Sequence, residues 1–510
     1  MNQNHKIAKN SLILYFRLII TTIIGLIVTR LVIRYLGVSD YGLYSVVGSI
    51  VVLMNFLNTV MISTTYRYIA YELGKEGGKD VNKVFNISLS IHVALILLVI
   101  ILAETVGIWY IHKHLNIEPN KVNDAIFVFR CSILATIINI FSIPFQGFIT
   151  AMEKFGVRAS IEILRSVLNL LFVVLLGYIF GNKLRYYAVL MTIVTVLPSS
   201  LFIIYCKTKY HKYTRWNLQR DKVKYKEMIG YSGWIMIGAA AQVGKQTGTP
   251  VLINYFFGTI LNAAFGIANQ LNRFLMMFVQ SLGEAAIPQI IKSFSGGDHT
   301  RTLNLVAYIS KYSFFLLLLP GLPILLETNF LIRLWIGEIP EYTITFCKLM
   351  IVNILLETLN SGIPAAIQAT GKIKWFQIIN STILLLGLPT TFLLFRFGFS
   401  PYYSVIVYII ISILNIFINL LLLKRIINFN VKYLLKTSYF RAGLVFLFIL
   451  PLFFIVPIFP EGILRFAITS FVSFFYYIVI IYILGFDKKE RKLIYEVICS
   501  LRQRVWNHSK

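Results

Sequence analysis

Acidic side chains are scarce in this sequence. Its 510 residues carry 21 Asp and Glu against 48 Lys and Arg, and only 14% of them are charged. A soluble chain keeps about 25% charged residues, so the deficit excludes an ordinary solvated surface. The four cysteines, Cys131, Cys206, Cys347 and Cys499, stand far apart. That excludes metal or redox spacing and leaves them as small buried apolar residues. There is no Asp-x-Asp, no histidine cluster and no pair of carboxylates at a useful spacing, and the longest interior connection runs only from Lys207 to Met228. These gaps argue against a membrane glycosyltransferase or sugar polymerase, and indeed against any enzyme. The net charge of +27 would suit a nucleic-acid binder. Its placement in short segments between apolar runs instead follows the orientation bias of membrane proteins, and no nucleic-acid partner is expected.

What the chain has is apolar length. Hydrophobic residues make up 57% of it and its mean hydropathy is +0.76. Apolar runs of about 18 residues or more, each able to cross a bilayer, recur from end to end. A backbone in lipid must satisfy its own hydrogen bonds, so such runs mean helices. The alternating ~10-residue segments of a β-barrel are absent. The reading is an all-α integral membrane protein with about fourteen transmembrane helices, near 10–36, 41–66, 84–111, 124–150, 158–180, 185–206, 230–257, 262–290, 303–326, 343–369, 374–396, 401–423, 441–459 and 463–485. The first run, Ser11 to Leu36, is too long for a signal peptide's apolar region and is read as the first helix.

Orientation follows from the basic residues. Lys75, Lys79 and Lys83, the eight between Lys207 and Lys226, the five between Lys424 and Arg441 and the seven between Lys488 and Lys510 all fall on one side. The other side holds Arg34, Lys113, Lys121, Lys183, Arg185, Arg333 and Arg396. Both termini are therefore expected in the cytoplasm.

The chain also repeats itself. At an offset of 221, Ser11 meets Ser232, Leu31 meets Leu252, Gly37 meets Gly258 and Ile69 meets Ile290; at 220, Ile143-Pro144 meets Ile363-Pro364, Thr150 meets Thr370 and Lys154 meets Lys374. Six helices separate the copies, an even number, so two six-helix lobes should insert alike, related by a pseudo-two-fold along the membrane normal. The expected division is 1–228 for the N-lobe, 229–425 for the C-lobe, and 426–510 for two extra helices and a basic tail.

Ionisable residues inside helices are costly and mark a path or a partner. Lys245 is thirteen residues into its helix, within the polar run Gln242-Val243-Gly244-Lys245-Gln246-Thr247-Gly248-Thr249-Pro250. Its glycines permit close helix approach and Pro250 is expected to bend the helix. Arg273 stands among Asn269, Gln270 and Asn272. Both cations are expected to line a cavity, with an ion pair to Glu284 or Glu357 as the alternative for Lys245. Arg17 and Arg30 lie nearer the ends of the first helix and suit either the cavity or lipid headgroups. Glu162 and Arg165, three apart, are expected to pair. The first and seventh helices hold no acidic residue, so the in-helix set is net positive and favours an anionic ligand. At the repeat offset Lys245 meets Ile24 and Arg273 meets Val52, which speaks for function rather than scaffold.

The run Arg34 to Gly37, then Val38-Ser39-Asp40-Tyr41-Gly42-Leu43-Tyr44-Ser45, followed later by Pro144, Gln146-Gly147 and Met152-Glu153-Lys154-Phe155, resembles bacterial oligosaccharide flippases of the O-antigen (Wzx) type. These belong to the multidrug/oligosaccharidyl-lipid/polysaccharide exporter superfamily. The resemblance implies two lobes around a central cavity, working by alternating access on a polyprenyl-pyrophosphate-linked oligosaccharide in the bacterial inner membrane. Lys245 and Arg273, with Arg17 or Arg30 opposite, would then take the pyrophosphate, and Gln242, Gln246, Asn269, Gln270, Glu284 and Glu357 would supply further polar lining. A lipid II flippase and an ion-coupled drug extruder stay open as alternatives. No cofactor is expected beyond a coupling H⁺ or Na⁺. The expected partners are the lipid-linked oligosaccharide, membrane lipid, and polysaccharide polymerase and chain-length proteins, with the chain itself a monomer.

Overall fold

The apolar runs become helices because lipid offers the backbone no other hydrogen-bond partner. The computed structural model describes residues 3–36, 40, 43–44, 61–75, 80–113, 121–455, 460–488 and 490–492, and among these there is no strand. Helix α1 is Gln3–Leu36 and α2 covers 61–74. Helix α3, Val81–Leu102, continues through a π-helical turn to Ile108–Lys113. Then come α4, Val122–Ala151, α5, Phe155–Leu176, and α6, Lys183–Lys209. The run Lys222–Ser295 is one helix broken at Gly258, whose φ of 82° and ψ of −173° suit a residue without Cβ; its halves are α7 (222–257) and α8 (259–295). Helix α9 is His299–Leu326. Helix α10, Thr343–Leu359, turns by 41° into Ile363–Thr370. Helices α11, Lys374–Arg396, and α12, Tyr403–Ile427, follow. Helix α13 starts at Val431, passes a π-helical turn and ends at Ile449. Helix α14 is Ile463–Ile480 with a final π-helical turn to Gly485.

Ten helices among the described residues are long and apolar enough to cross a membrane, or eleven with the bent α10 taken as one. The chain is a multi-pass membrane protein. The spans expected near 41–66, 230–257 and 441–459 do not meet that length and apolarity among the described residues. Most of the segment expected at 41–66 lies outside the described residues. The polar run around Lys245 lowers the hydropathy of α7, and α13 is interrupted by its π-helical turn. Through Pro250 the backbone keeps helical dihedrals, so the break falls at Gly258 instead.

The repeat is visible in the helix boundaries. Helices α3, α4, α5 and α6 begin at Val81, Val122, Phe155 and Lys183, and α9, α10, α11 and α12 begin at His299, Thr343, Lys374 and Tyr403, offsets of 218, 221, 219 and 220. The copies differ at the shared Ile-Pro. Pro144 sits inside a continuous α4, whereas Pro364 opens a new helical segment after the bend in α10. A proline at the first helical turn loses no hydrogen bond, so the sequence tolerates either backbone. Gly37, the partner of Gly258, lies outside the described residues.

The chain forms two compact units, Met1–Ala239 with Glu284–Asp298, and Ala240–Gly283 with His299–Lys510. The first packs Val28 and Val32 of α1 against Phe129, Val173, Leu176 and Tyr187. The second packs Leu317, Leu318 and Leu322 of α9 against Ile351 and Ile354 of α10, and also against Val445, Ile449 and Tyr477 of the last two helices.

On α1 the exposed side chains Leu12, Phe16, Ile19, Ile23 and Ile27 recur every three or four residues. This is a single apolar stripe of the kind that faces lipid.

Candidate functional site

In the second unit the polar stretch of α7 meets α10, α11 and α12. Gly244 and Gly248 lie against Leu385 and Leu388 of α11. A Cβ at Gly248 would come within 2.8 Å of Leu388, and one at Gly244 within 3.1 Å of Leu385, which is the close approach that the small residues permit. The seat beside them holds Lys245. Its Nζ donates to Glu357 Oε1 at 3.0 Å and stands 4.7 Å from the centre of the Tyr408 ring, a cation–π distance. Asn353 Nδ2 donates to the same carboxylate oxygen at 3.0 Å. Ser412 Oγ donates to Asn353 Oδ1 at 2.8 Å. Thr249 Oγ1 donates to the Tyr408 hydroxyl at 3.2 Å. Glu357 is two residues before the end of the first segment of α10, beside its bend. The Lys245 and Glu357 side chains keep 18% and 33% of their surface open, so the pair can be reached.

Arg273 lies in the same unit on α8. It is exposed, with no ion pair or hydrogen bond to any described residue. The exposed residues of α8 around it are Ala263, Gly266, Gln270 and Gln280, together with the apolar Ile260 and Phe274. Unlike the wholly apolar stripe of α1, this surface mixes two large apolar side chains with small and polar ones. The arginine and glutamines on it suit water or a polar ligand. Asn269 is half-buried beside it, and Gln242 and Gln246 are exposed on α7.

In the first unit Arg17 is bound to carboxylates. Its Nη1 is 2.5 Å from Glu162 Oε2 and its Nη2 is 3.7 Å from Glu284 Oε2. Arg158 reaches the same two acids, at 2.9 Å and 3.7 Å. Two guanidinium groups and two carboxylates thus neutralise one another. The expected pairing of Glu162 with Arg165 is corrected. Glu162 takes Arg158, four residues back on α5, and Arg165 Nη2 donates to Ser199 Oγ of α6 at 3.3 Å. Arg30 and Arg34 are both exposed and continue the apolar stripe of α1 by steps of three and four at its end. An arginine there reaches lipid headgroups.

The sequence named Lys245, Glu357, Arg17, Glu284 and Arg273 and offered Glu357 as one of two possible partners of Lys245, which is the pairing found; it did not foresee the carboxylates around Arg17. The carboxylates that balance Lys245 and Arg17 come from other helices, Glu357 being 112 residues from Lys245. Arg273 and Arg30 stay unpaired among the described residues. Thr249 stood in the polar run already singled out, whereas Asn353, Tyr408 and Ser412 carried no signal in the sequence beyond being polar residues in apolar helices. Among the described residues no group of His, Cys, Asp and Glu is arranged to hold a metal.

The model of the polysaccharide biosynthesis protein family matches residues 7–294, more than half of the chain. No curated protein matches it. Solved structures do. An outward-facing MATE family multidrug-resistance transporter of the MOP superfamily is 13% identical, over 81% of this chain and 93% of its own, with a TM-score of 0.69. A MATE transporter in its bent conformation is 14% identical over 86% and 98%, with a TM-score of 0.69. A MOP superfamily transporter from Pyrococcus furiosus, whose binding pocket is described as of reverse polarity, is 14% identical over 81% and 94%, with a TM-score of 0.65. Identities this low carry the fold and nothing finer. The fold is that of MOP-superfamily transporters, built from helices that repeat across two halves. By its family model the chain belongs to the polysaccharide biosynthesis protein family.

Proposed function

We propose that this protein is a flippase that carries a polyprenyl-pyrophosphate-linked oligosaccharide from the inner to the outer leaflet of the bacterial inner membrane. The observation that carries the reading is Arg273 of α8, exposed beside Gln270 and unpaired among the described residues. A cation held in a membrane protein without a carboxylate favours an anionic ligand, and a guanidinium matches phosphate oxygens bidentately. Lys245 adds a second, pointlike cation in the same unit. Gln242, Gln246, Asn269 and Gln270 offer neutral hydrogen bonds to sugar hydroxyls. Arg17 is balanced within its cluster and is assigned a structural part, and Arg30 is assigned to headgroups. The family match supports a cargo from polysaccharide assembly.

The test is reconstitution. Purified protein in vesicles is given a labelled lipid-linked oligosaccharide, and both leaflet position and chemical identity are followed. Movement of unchanged lipid supports the flippase. New glycosidic bonds, or no movement with active protein, would overturn it.

A further inference from the structure

Lys245 already has an anion. Glu357 Oε1 sits 3.0 Å from its ammonium, in the position that a phosphate oxygen would take. The pair is partly open, and the Tyr408 ring covers another side of the ammonium at 4.7 Å. Glu357 has a second hold in Asn353, whose amide donates to the same oxygen and is itself fixed by Ser412. If the ammonium were taken away, that oxygen would keep a donor. Asn353 and Glu357 are one turn apart on α10, whose bend follows directly after Leu359. Arg273 has no such resident partner among the described residues. The two cations of this unit are thus set differently: one stands open and the other is occupied.

We propose that Glu357 is a built-in competitor for the substrate's anionic headgroup. The headgroup displaces the carboxylate from Lys245, and Glu357 falls back on Asn353. This rests on the function proposed above and adds how its site is regulated. Two consequences follow from the chemistry. A ligand must carry enough negative charge to outbid a carboxylate, so a pyrophosphate is taken and neutral or weakly anionic lipids are refused; specificity here comes from a cost that wrong ligands cannot meet. In addition, release of Glu357 frees the end of α10 beside its bend from α7, so occupancy is felt at the helix break.

The experiment is equilibrium binding of farnesyl pyrophosphate to the purified full-length protein in detergent, compared with farnesol and farnesyl monophosphate. With the competitor removed, Glu357→Gln should bind farnesyl pyrophosphate roughly three- to ten-fold more tightly than the unmodified protein, the range of a partly exposed ion pair. It should also gain affinity for the monophosphate. Lys245→Gln should bind more weakly, and adding Glu357→Gln to it should bring no gain, because the carboxylate then has nothing to compete for. If the Glu357→Gln protein does not fold, Glu357→Ala serves in the same comparison. Equal or weaker pyrophosphate binding by the Glu357 variant, with the unmodified protein binding normally, would overturn the competition alone. No binding of farnesyl pyrophosphate by the unmodified protein would overturn the substrate reading with it.

Discussion

Lys311 and Glu490 lie 179 residues apart and share one buried ion pair. The lysine Nζ stands 2.5 Å and 2.7 Å from the two carboxylate oxygens, and neither side chain has more than 8% of its surface open. The Tyr312 hydroxyl donates to Oε1 and the Asp487 N–H to Oε2. Asp487 Oδ1 in turn accepts from the Glu490 N–H at 2.8 Å, a reciprocal capping arrangement that starts the segment after α14. The chain's last described residues are in this way tied to α9. Replacing Lys311 by Met leaves a buried carboxylate without its cation, which costs about 3–5 kcal/mol. Thermal unfolding in detergent should show a large fall in Tm for Lys311→Met and a partial return when Glu490→Gln is added. An unchanged Tm for the single variant would show that the pair is not buried.

Tyr408 depends on a glycine. A Cβ at Gly387 of α11 would lie 2.6 Å from the Tyr408 ring, so Gly387→Ala must displace the ring from its place over Lys245. The folded Gly387→Ala protein should lose the cation–π contact, worth about 0.5–2 kcal/mol. Its transport should fall several-fold, while Gly230→Ala, where a Cβ meets nothing within 4 Å, should leave transport unchanged. Comparison of transport at equal membrane content checks this.

The fold was legible where chemistry is local. Apolar length gave the helices, and the offsets of 218 to 221 between their starts follow the repeat read from a few identities. Contacts between distant helices were legible only as short lists of candidates. Glu357 could be offered as a partner for Lys245 only alongside Glu284, since scarcity of acids inside helices narrows the choice but does not place it, and Arg17 meets Glu162 across 145 residues. The bend in α10 was hidden because Ile-Pro is compatible both with a continuous helix and with a new one. Lys311 could have been singled out by the same logic as Lys245, being a lysine twelve residues into an apolar helix. Its partner lies in a segment that reads only as a basic tail.

Arg17, Arg158, Glu162 and Glu284 should behave as one unit. Removing Arg17 leaves Glu162 its bond to Arg158, and removing Arg158 leaves the bond to Arg17. Arg17→Ala and Arg158→Ala should each destabilise modestly. Together they should cost more than the sum, with a coupling of about 0.5–3 kcal/mol. A double-mutant cycle on thermal stability measures it, and strict additivity would show that the two guanidinium groups act separately.

Asp221 should set an acid limit on the start of α7. The Lys83 ammonium, 2.8 Å away, and the Lys224 N–H that it caps hold its carboxyl below the ordinary carboxylate value. A depressed value stabilises the folded state above the unfolded pKa of about 3.9, and that contribution disappears as pH falls through the folded value. Asp221→Asn should therefore flatten the acid side of a stability-versus-pH curve below about pH 4 and leave its slope near neutrality unchanged. An identical acid limb in both proteins would contradict this.

The central claim is that a cationic polar site passes a pyrophosphate-linked glycan across the membrane. The most direct measurement is to deplete the protein in its own cells and determine on which leaflet undecaprenyl-linked oligosaccharide collects. The account predicts accumulation on the inner leaflet, reversed by the unmodified protein and not by an equally expressed Arg273→Ala variant. Normal export without the protein, or full rescue by Arg273→Ala, would contradict it.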